Sequence, residues 1–424
     1  MVKLIYLVLD GAADSPSSGK TPLEEAHTPG LDELARHARM GIHYSIAPGV
    51  TPESDAAVLS LLGYDPEKHY TGRGPLEALG AGIRIREGYE VAFRANFATV
   101  DEETLELVDR RVGRSLTSEE ARLLAEALDG MELDGGHAYA RVRATIGHRA
   151  VVVLGHRRYR LSGDVDNTDP AYVRRGNISE AVPNPPRRVR EARPLKDTEE
   201  ARLAAKLANE FTWKSHEVLK AHPVNLERVR RGLLKANMVL LRDAGSETPK
   251  LKPISEKYGM RFAAITEMPV EKGIAVAAGM QPVETLMSGS REEMLSDRLR
   301  LTLKLLRDYD VVYVHLKGPD EPGHDGDFEG KTRAIELIDE HYIQPLLNHI
   351  DLKEVALLVT SDHATPWRLR AHSGDPVPFM VSWARVRPDG FEKFCERDAA
   401  RGSLGVLKHG WQLLPLALRL TRGG

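Results

Sequence analysis

Short apolar runs alternate with amphipathic segments at both ends of the chain. Four runs have the length of strands, namely "KLIYLVLDG", "DVVYVHLKGPD", "EVALLVTSDHA" and "PVPFMVSWA". Between them, "SREEMLSDRLRLTLKLLRDY" and "EGKTRAIELIDEHYIQPLLNHI" repeat apolar residues at helical spacing, which predicts crossover helices. Strands that alternate with helices indicate an α/β fold with a mainly parallel sheet flanked by helices.

The middle of the chain shows a different pattern, in which strand-like segments follow one another. "YEVAFRANFATV", "TLELVDRRVG", "AYARVRATIG" and "RAVVVLGHRRYRL" are interrupted by one clear helical pattern, "TSEEARLLAEAL". The region ends near "AVPNPPRRVREARPLKD", which is typical of an exposed linker. We therefore predict a smaller α+β domain at residues 84–190, inserted into a core domain formed by residues 1–83 and 191–424.

Composition excludes several classes of protein. The 424 residues carry a formal net charge of -3, so the chain has no positive excess with which to bind nucleic acid. The longest apolar runs are far shorter than the roughly 18 residues of a membrane helix. A single cysteine, Cys395, excludes an internal disulfide framework. These features predict a cytoplasmic protein that binds no membrane, and they leave open whether it is a monomer or a small homo-oligomer.

Side chains that can bind metals stand at the ends of the predicted strands. They are three aspartates and three histidines: Asp10, Asp320, His324, Asp362, His363 and His372. Because sites in open parallel sheets form at the carboxyl ends of strands, we expect these residues to converge. Carboxylate and imidazole ligands without cysteine suit two divalent cations, such as Mn²⁺, Zn²⁺ or Mg²⁺. Each residue alone also fits a turn or a helix cap, so the prediction depends on the whole set.

Ser54 lies in "GVTPESDAAV", directly before an apolar helical pattern. This position is typical of a helix N-cap, which is the simpler interpretation of the segment alone. A two-metal site, however, needs a nucleophile whose pKa a cation can lower, and a helix N-terminus favours the same anionic form. We therefore expect Ser54 to be the nucleophile.

The segments "VLDG", "TPESD", "GPDEPGH", "TSDHATP" and "HSGDPVP" resemble the alkaline phosphatase superfamily. "GYDPEKHYTGRGPLEALG", "FRANFATV", "DRRVGR" and "GHRAVVVL" extend the resemblance over nearly the whole chain, to the archaeal-type 2,3-bisphosphoglycerate-independent phosphoglycerate mutases. The resemblance implies an alkaline-phosphatase-like core and an isomerase of glycolysis and gluconeogenesis. It would interconvert 3-phosphoglycerate and 2-phosphoglycerate through a phosphoserine. The alternatives are a metal-dependent phosphatase or phosphopentomutase of the same superfamily, or a catalytically inactive scaffold. A scaffold would be marked by a lost ligand, and none of the seven ligand positions is lost.

The resemblance also implies which residues bind the metals and act in catalysis. One ion would be bound by Asp320, His324 and His372. The second ion would be bound by Asp10, Asp362, His363 and the nucleophile Ser54. Lys257 would lie near the phosphate, and Asp164 would be a proton shuttle, a role for which Asp166 and Asp169 are alternatives.

Substrate contacts would come from the insert: Arg94, Arg111, Arg114, His148 and Arg149. The implied cofactors are two divalent metal ions (Mn²⁺, Zn²⁺, Co²⁺ or Mg²⁺), with no bisphosphoglycerate. No nucleotide is expected, because "SSGKTP" and "GRGPLEALGAG" miss the glycine spacings of the phosphate-binding and dinucleotide-binding motifs.

Overall fold

The computed structural model describes residues 2–175, 178–182 and 184–422. The chain divides into two compact units: unit 1 comprises Met1–Tyr70 and Leu251–Gly424, and unit 2 comprises Thr71–Lys250. Unit 2 extends beyond the inserted domain of residues 84–190 that the sequence predicts, because a helix before that segment and two helices and a strand after it pack within the unit. No helix among the described residues is both long and apolar enough to cross a membrane.

The strands in the described residues are, in chain order, β1 (Lys3–Leu9), β2 (Ala38–His43), β3 (Glu90–Val100), β4 (Leu107–Asp109), β5 (Glu132–Leu133), β6 (Ala138–Ala144), β7 (Arg149–His156), β8 (Tyr172–Arg175), β9 (Ile178–Ala181), β10 (Met238–Gly245), β11 (Phe262–Thr266), β12 (Gln281–Glu284), β13 (Val311–Leu316), β14 (Val355–Thr360), β15 (Val377–Ser382) and β16 (Gly405–Leu407).

The α-helices in the described residues are α1 (Pro22–Glu25), α2 (Pro29–Arg36), α3 (Ser54–Leu61), α4 (Pro66–His69), α5 (Arg73–Gly80), α6 (Ser118–Leu128), α7 (Glu199–Leu219), α8 (Pro223–Arg230), α9 (Ile254–Tyr258), α10 (Pro269–Ala277), α11 (Arg291–Leu305), α12 (Asp320–Asp325), α13 (Phe328–Ile338), α14 (Gln344–Leu347), α15 (Glu396–Ala400) and α16 (Leu413–Arg422). Short 3-10 helices cover Pro16–Ser18, Val112–Arg114, Asp134–Gly136 and Gly410–Gln412, and a π-helical turn covers Asp339–Ile343.

Unit 1 is built on an eight-stranded sheet with the order β12-β11-β13-β1-β14-β15-β2-β16. All neighbouring strands are parallel except at β15, which runs antiparallel to both β14 and β2. The central strands β13 and β14 are buried along their whole length, as expected for parallel strands covered on both faces. The predicted mainly parallel sheet flanked by helices is therefore confirmed.

Helices cover the unit 1 sheet because each presents one apolar face. On one side, Ile5 and Leu7 of β1 pack with apolar residues of α2, α11 and α13, such as Leu34, Leu301 and Ile335. Tyr6 belongs to the opposite face of the sheet, where its hydroxyl donates to Leu61 O at the end of α3. α3 in turn packs against α10. The sheet thus fixes the position of α3, the helix that begins with the predicted nucleophile.

Unit 2 is an α+β structure, as predicted. Its main sheet has the order β10-β3-β7-β6-β5, with β4 paired to β3, and all of these pairs are antiparallel. The helices α6 and α7 cover the sheet with Leu124, Leu128, Leu207 and Phe211. α6 begins with a capping box in which Thr117 and Glu120 satisfy each other's backbone N–H groups, which explains its clear helical signal.

Candidate active site

A buried group of two aspartates and a histidine lies at the carboxyl edge of the unit 1 sheet. Asp10 directly follows β1, while Asp362 and His363 follow β14, the parallel neighbour of β1. Their ligand atoms all lie within 4.8 Å of one another, and His363 Nε2 is 3.3 Å from Asp362 Oδ2 and 3.7 Å from Asp10 Oδ1. We call these three residues the buried cluster.

Gly11 permits the close packing of the chain beside the buried cluster. Its backbone N–H donates to Asp362 Oδ1 at 3.0 Å, which orients that carboxylate and leaves Oδ2 to face the cluster. Its φ is +59°, and a Cβ at this position would lie 2.7 Å from the Cβ of Asp320. Only glycine combines that backbone conformation with that space, which explains the glycine after Asp10.

A second group lies on the same edge and is more exposed. Asp320 and His324 lie one turn apart on α12, and His372 lies in the segment before β15. Because β15 is antiparallel to β14, the residues that precede β15 reach the edge at which β14 ends. Asp320 Oδ1 is 3.5 Å from His324 Nε2 and 3.4 Å from His372 Nε2. We call these three residues the outer cluster.

Thr365 joins the two clusters and determines which nitrogen of His363 carries a hydrogen. The Thr365 hydroxyl donates to Asp320 Oδ1 at 2.7 Å and lies 3.0 Å from His363 Nδ1. A hydroxyl has one hydrogen to donate, so His363 must be the donor in the second bond, through Nδ1. Burial also lowers the pKa of His363. The imidazole is therefore neutral, with the lone pair of Nε2 directed at the buried cluster, which is the form that binds a metal.

His372 is oriented in the same way from the other cluster. Its Nδ1 donates to Pro52 O at 2.9 Å, which leaves Nε2 to face Asp320. Burial alone would lower the pKa of His372, but the carboxylate of Asp320, 3.4 Å from Nε2, outweighs burial and raises the pKa to about 9. His372 Nε2 and Asp320 Oδ1 therefore lie close enough together to bind the same cation.

The clusters fit divalent cations on their own geometry. Among the described residues, Asp10 Oδ1, Asp362 Oδ2 and His372 Nε2 are buried and make no well-formed hydrogen bond, and each has a charged neighbour at 3.2 to 3.4 Å. A buried polar atom that lacks a well-formed hydrogen bond is costly, particularly the oxygen of a carboxylate. A divalent cation bound to each cluster would satisfy these atoms, and mixed carboxylate and imidazole ligands are suited to it.

Ser54 is the first residue of α3, and Glu53 occupies the N-cap position. The Ser54 hydroxyl is 3.2 Å from His363 Nε2, so it faces the buried cluster. Because Nε2 carries no hydrogen, the hydroxyl donates to it. The side chain therefore lies where a cation in the buried cluster and the N-terminus of α3 would both favour its alkoxide.

Three charged residues behind the buried cluster were missed in the sequence analysis. His315 is the polar residue of β13, Lys317 follows it, and Glu271 lies on α10. Lys317 Nζ is 3.2 Å from Asp10 Oδ1. Burial would raise the pKa of Asp10, but Lys317 and His315 outweigh burial and hold that pKa well below its usual range. A histidine inside an otherwise apolar strand, "VVYVHL", was the available signal.

The residues predicted to bind substrate lie together in unit 2. Burial and the positive charges of four arginines together lower the pKa of His148 to about 4: Arg149, Arg111, Arg114 and Arg94. The same group includes two arginines that the sequence analysis did not single out, Arg73 and Arg242, whose charges lower the pKa of Arg149 together with burial. A cluster of guanidinium groups of this kind is suited to carboxylate or phosphate.

Lys257 lies apart from both clusters in the structure. Its Nζ donates to Gly63 O and is 4.5 Å from the centre of the Tyr64 ring. Gly63 follows the C-terminal end of α3, whereas Ser54 begins that helix, and eight helical residues span about 12 Å. Lys257 and Ser54 therefore lie at opposite ends of α3.

Asp164, the predicted proton shuttle, lies in unit 2. Its carboxylate accepts from the Ser162 hydroxyl at 2.8 Å and lies 3.2 Å from Lys196 Nζ. The alternatives Asp166 and Asp169 are each paired with an arginine at 2.7 Å. Of the three, Asp164 is the one whose partner is an exposed lysine.

A family model described as 2,3-bisphosphoglycerate-independent phosphoglycerate mutase matches residues 35–225. A protein with that name from Aeropyrum pernix is 53% identical over 427 residues, which covers 100% of both chains. The chain belongs to this family. A 2,3-bisphosphoglycerate-independent phosphoglycerate mutase 1 from Archaeoglobus fulgidus is 42% identical, with 98% of this chain and 97% of that protein covered.

Solved structures agree with the membership of the mutase family. The cofactor-independent phosphoglycerate mutase from Thermoplasma acidophilum is 31% identical, has a TM-score of 0.62 and is matched over 99% of both chains. The PH0037 protein from Pyrococcus horikoshii is 30% identical, with a TM-score of 0.78 over 100% of this chain and 98% of that one. The family predicted from the sequence motifs is thus confirmed, and these relatives do not favour the phosphatase or phosphopentomutase alternative.

Proposed function

We propose that the chain interconverts 3-phosphoglycerate and 2-phosphoglycerate by phosphoryl transfer through Ser54, in the cytoplasm, with one divalent cation in the buried cluster and one in the outer cluster. The observation that carries the proposal is the 3.2 Å distance between the Ser54 hydroxyl and His363 Nε2, the nitrogen that faces Asp10 and Asp362. Family membership supports the choice of phosphoglycerate as substrate.

Ser54 acts as the nucleophile. Bound cations would lower the pKa of its hydroxyl and withdraw electron density from the phosphoryl group. Ser54 Oγ forms a bond to phosphorus while the bond from phosphorus to the 3-oxygen of glycerate breaks, and that oxygen takes a proton. The 2-hydroxyl of the retained glycerate then gives up its proton and attacks the phosphoserine, which releases Ser54 and 2-phosphoglycerate.

The guanidinium cluster of unit 2 binds the carboxylate of the substrate. Carboxylates are bound best by planar, bidentate guanidinium groups, which Arg94, Arg111, Arg114 and Arg149 supply. The neutral state of His148, favoured by burial and by these charges, lets it donate or accept one hydrogen bond without adding charge. The family resemblance implies that Lys257 lies near the phosphate, but its Nζ donates to Gly63 O at the opposite end of α3 from Ser54, so we do not assign the phosphate to it.

Asp164 is assigned the transfer of the hydroxyl proton. Its carboxylate is partly exposed and interacts with an exposed lysine, so substrate can reach it, whereas Asp169 is buried in a pair with Arg110. The cations are drawn from Mn²⁺, Zn²⁺, Co²⁺ and Mg²⁺, because mixed aspartate and histidine ligands do not select one of these ions by affinity alone.

Phosphorus NMR of the purified full chain tests the proposal, since it follows both phosphoglycerates and inorganic phosphate at once. With Mn²⁺ present and no bisphosphoglycerate added, we expect 3-phosphoglycerate to convert to 2-phosphoglycerate with little free phosphate. Labelled free glycerate should be incorporated poorly, because the glycerate is retained between the two transfers. If inorganic phosphate is the main product, the chain is a phosphatase and the mutase proposal is wrong.

A further inference from the structure

Two cationic side chains lie between Glu271 and the buried cluster. Glu271 Oε1 is 2.7 Å from Lys317 Nζ and 3.1 Å from His315 Nδ1. On their other sides, Lys317 Nζ is 3.2 Å from Asp10 Oδ1, and His315 Nε2 is 3.5 Å from the same oxygen. His315 Nε2 is also 3.4 Å from Asp362 Oδ2. Each cation thus contacts a cluster carboxylate on one side and Glu271 on the other.

The charges of this group affect any cation that enters the buried cluster. Both ring nitrogens of His315 face carboxylates, so both carry hydrogens and the ring is an imidazolium. Two positive groups so close to Asp10 and Asp362 compete with a divalent cation for the same oxygens. The two negative charges of Asp10 and Asp362 balance the two positive charges of His315 and Lys317. Glu271 adds one further negative charge to this group of side chains.

Glu271 is held in a fixed orientation. Its side chain is 4% exposed, and Oε2 accepts from the backbone N–H groups of Glu267 and Met268, both at 3.3 Å. This arrangement leaves Oε1 directed at the two cations. The carboxylate therefore draws Lys317 and His315 towards α10, away from the oxygens that a metal needs.

We propose that Glu271 is a positioning residue that sets the affinity of the buried cluster for its divalent cation by acting through Lys317 and His315. The inference depends on the proposed function only in that the buried cluster binds a cation. Residues that hydrogen-bond to metal ligands without touching the metal commonly matter for affinity. Their removal weakens metal binding by roughly 10- to 100-fold. Removal of the negative charge of Glu271 should weaken metal binding, because Lys317 and His315 would then be paired only with Asp10 and Asp362, whose oxygens the metal needs.

The experiment is a titration of the metal-stripped full chain with Mn²⁺ by calorimetry. In Glu271→Gln, which keeps an oxygen for the backbone N–H groups, we expect Mn²⁺ to bind the buried cluster roughly 10- to 100-fold more weakly. Binding to the outer cluster serves as an internal reference. In the double variant Glu271→Gln with Lys317→Met, one negative and one positive charge are lost together, and the affinity should return to within about threefold of the parent.

Two further variants keep the test decisive if Glu271→Gln folds poorly. Lys317→Met alone should bind Mn²⁺ at least as tightly as the parent, since it removes a competing cation. Glu267→Gln is the matched control, because Glu267 pairs with Arg298 at 3.0 Å close to α10 and should leave Mn²⁺ binding unchanged. Unchanged affinity in Glu271→Gln, no recovery in the double variant, or a tenfold loss in Lys317→Met would overturn the proposal. If the parent binds no Mn²⁺ at the buried cluster, the proposed function fails instead, and this inference with it.

Discussion

The imidazole ring of His363 stacks on that of His372, with ring centres 3.8 Å apart and an angle of 26° between the planes. Each histidine belongs to a different cluster, so the stack places the two candidate cation sites side by side. Two stacked imidazolium ions would repel each other, so the neutral state of His363 suits a stack in which His372 holds a proton beside Asp320. A cation in the outer cluster would take the place of that proton on His372 Nε2.

Removal of metal should abolish activity and lower stability. Chelation should leave an inactive protein, and Mn²⁺, Co²⁺ or Mg²⁺ should restore turnover to different degrees. Each ion present at 100 times its dissociation constant should add about 2.7 kcal/mol to the free energy of unfolding. Elemental analysis should show that His363→Ala and Asp320→Ala each lose one ion. Full metal content in a protein that carries both changes would contradict the assignment of the ligands.

Ser54→Ala should remove the nucleophile without unfolding the protein. We expect turnover to fall about 10⁴-fold or more, with no covalent phosphoenzyme detected by mass spectrometry. The Mn²⁺ content and the melting temperature should remain close to those of the parent. Ser60→Ala is the matched control, because Ser60 lies on the same helix and its hydroxyl is buried without a hydrogen-bond partner. Normal turnover in Ser54→Ala would refute the mechanism.

Arg114→Ala should weaken the retention of the carboxylate. Loss of a charge-assisted hydrogen bond should raise the KM for 3-phosphoglycerate by about 10- to 100-fold. More of the phosphoserine should then be lost to water, so phosphorus NMR should show a larger fraction of inorganic phosphate. Arg122→Ala is the control, since Arg122 pairs with Glu119 and Glu126 on the exposed face of α6. If Arg114→Ala and Arg122→Ala have the same KM for 3-phosphoglycerate, the carboxylate of the substrate does not bind at Arg114.

Stability should fall as the pH rises through the range in which Glu396 ionises. Burial raises the pKa of Glu396 to about 7, while the pKa of a glutamate in an unfolded chain is about 4.3. Between these values the folded chain holds a proton that the unfolded chain has lost, so the free energy of unfolding decreases with rising pH. The cost should reach about 4 kcal/mol above the folded pKa.

The variant Glu396→Gln tests this pH dependence. It retains the oxygen that accepts from the backbone N–H of Asp14 and cannot ionise. Its melting temperature should exceed that of the parent at about pH 8 and match it at about pH 4, at or below the pKa of glutamate in the unfolded chain. Glu392→Gln, at an exposed position, should keep the pH dependence of the parent. An equal gain for Glu396→Gln at both pH values would show that burial of the charge is not the cause.

The main sheet and the two clusters could be predicted because the evidence for them is local. The apolar run of β1 ends directly before Asp10, and β14 ends two residues before Asp362. Neighbouring parallel strands end at the same edge of a sheet, so these ligands were expected to meet. The same reasoning places Asp10 beside His363, although 352 residues separate them along the chain. The placement of Ser54 beside the ligands could be expected from two local features: its position at the start of a helical pattern and the presence of those ligands elsewhere in the chain.

Other features depend on tertiary contacts that no short segment reveals. Glu271 is in the first turn of a helix, where glutamate is common on exposed surfaces, so its burial could not be read from the pattern. The apolar run of β10 fits either unit, and only its pairing with β3, about 140 residues earlier, assigns it to unit 2. The inserted segment that composition and turn residues predict, residues 84–190, is therefore narrower than unit 2, which comprises Thr71–Lys250.

The place of β1 between β13 and β14 has a consequence for folding during synthesis. Both neighbours of this strand are made only after about 300 further residues, which takes about 15 to 60 s at ordinary rates of translation. Unit 2 is one continuous stretch of chain and can fold within that interval. The apolar strand that leads to Asp10 must meanwhile wait without partners, so the nascent chain is most prone to aggregation before its last third emerges from the ribosome.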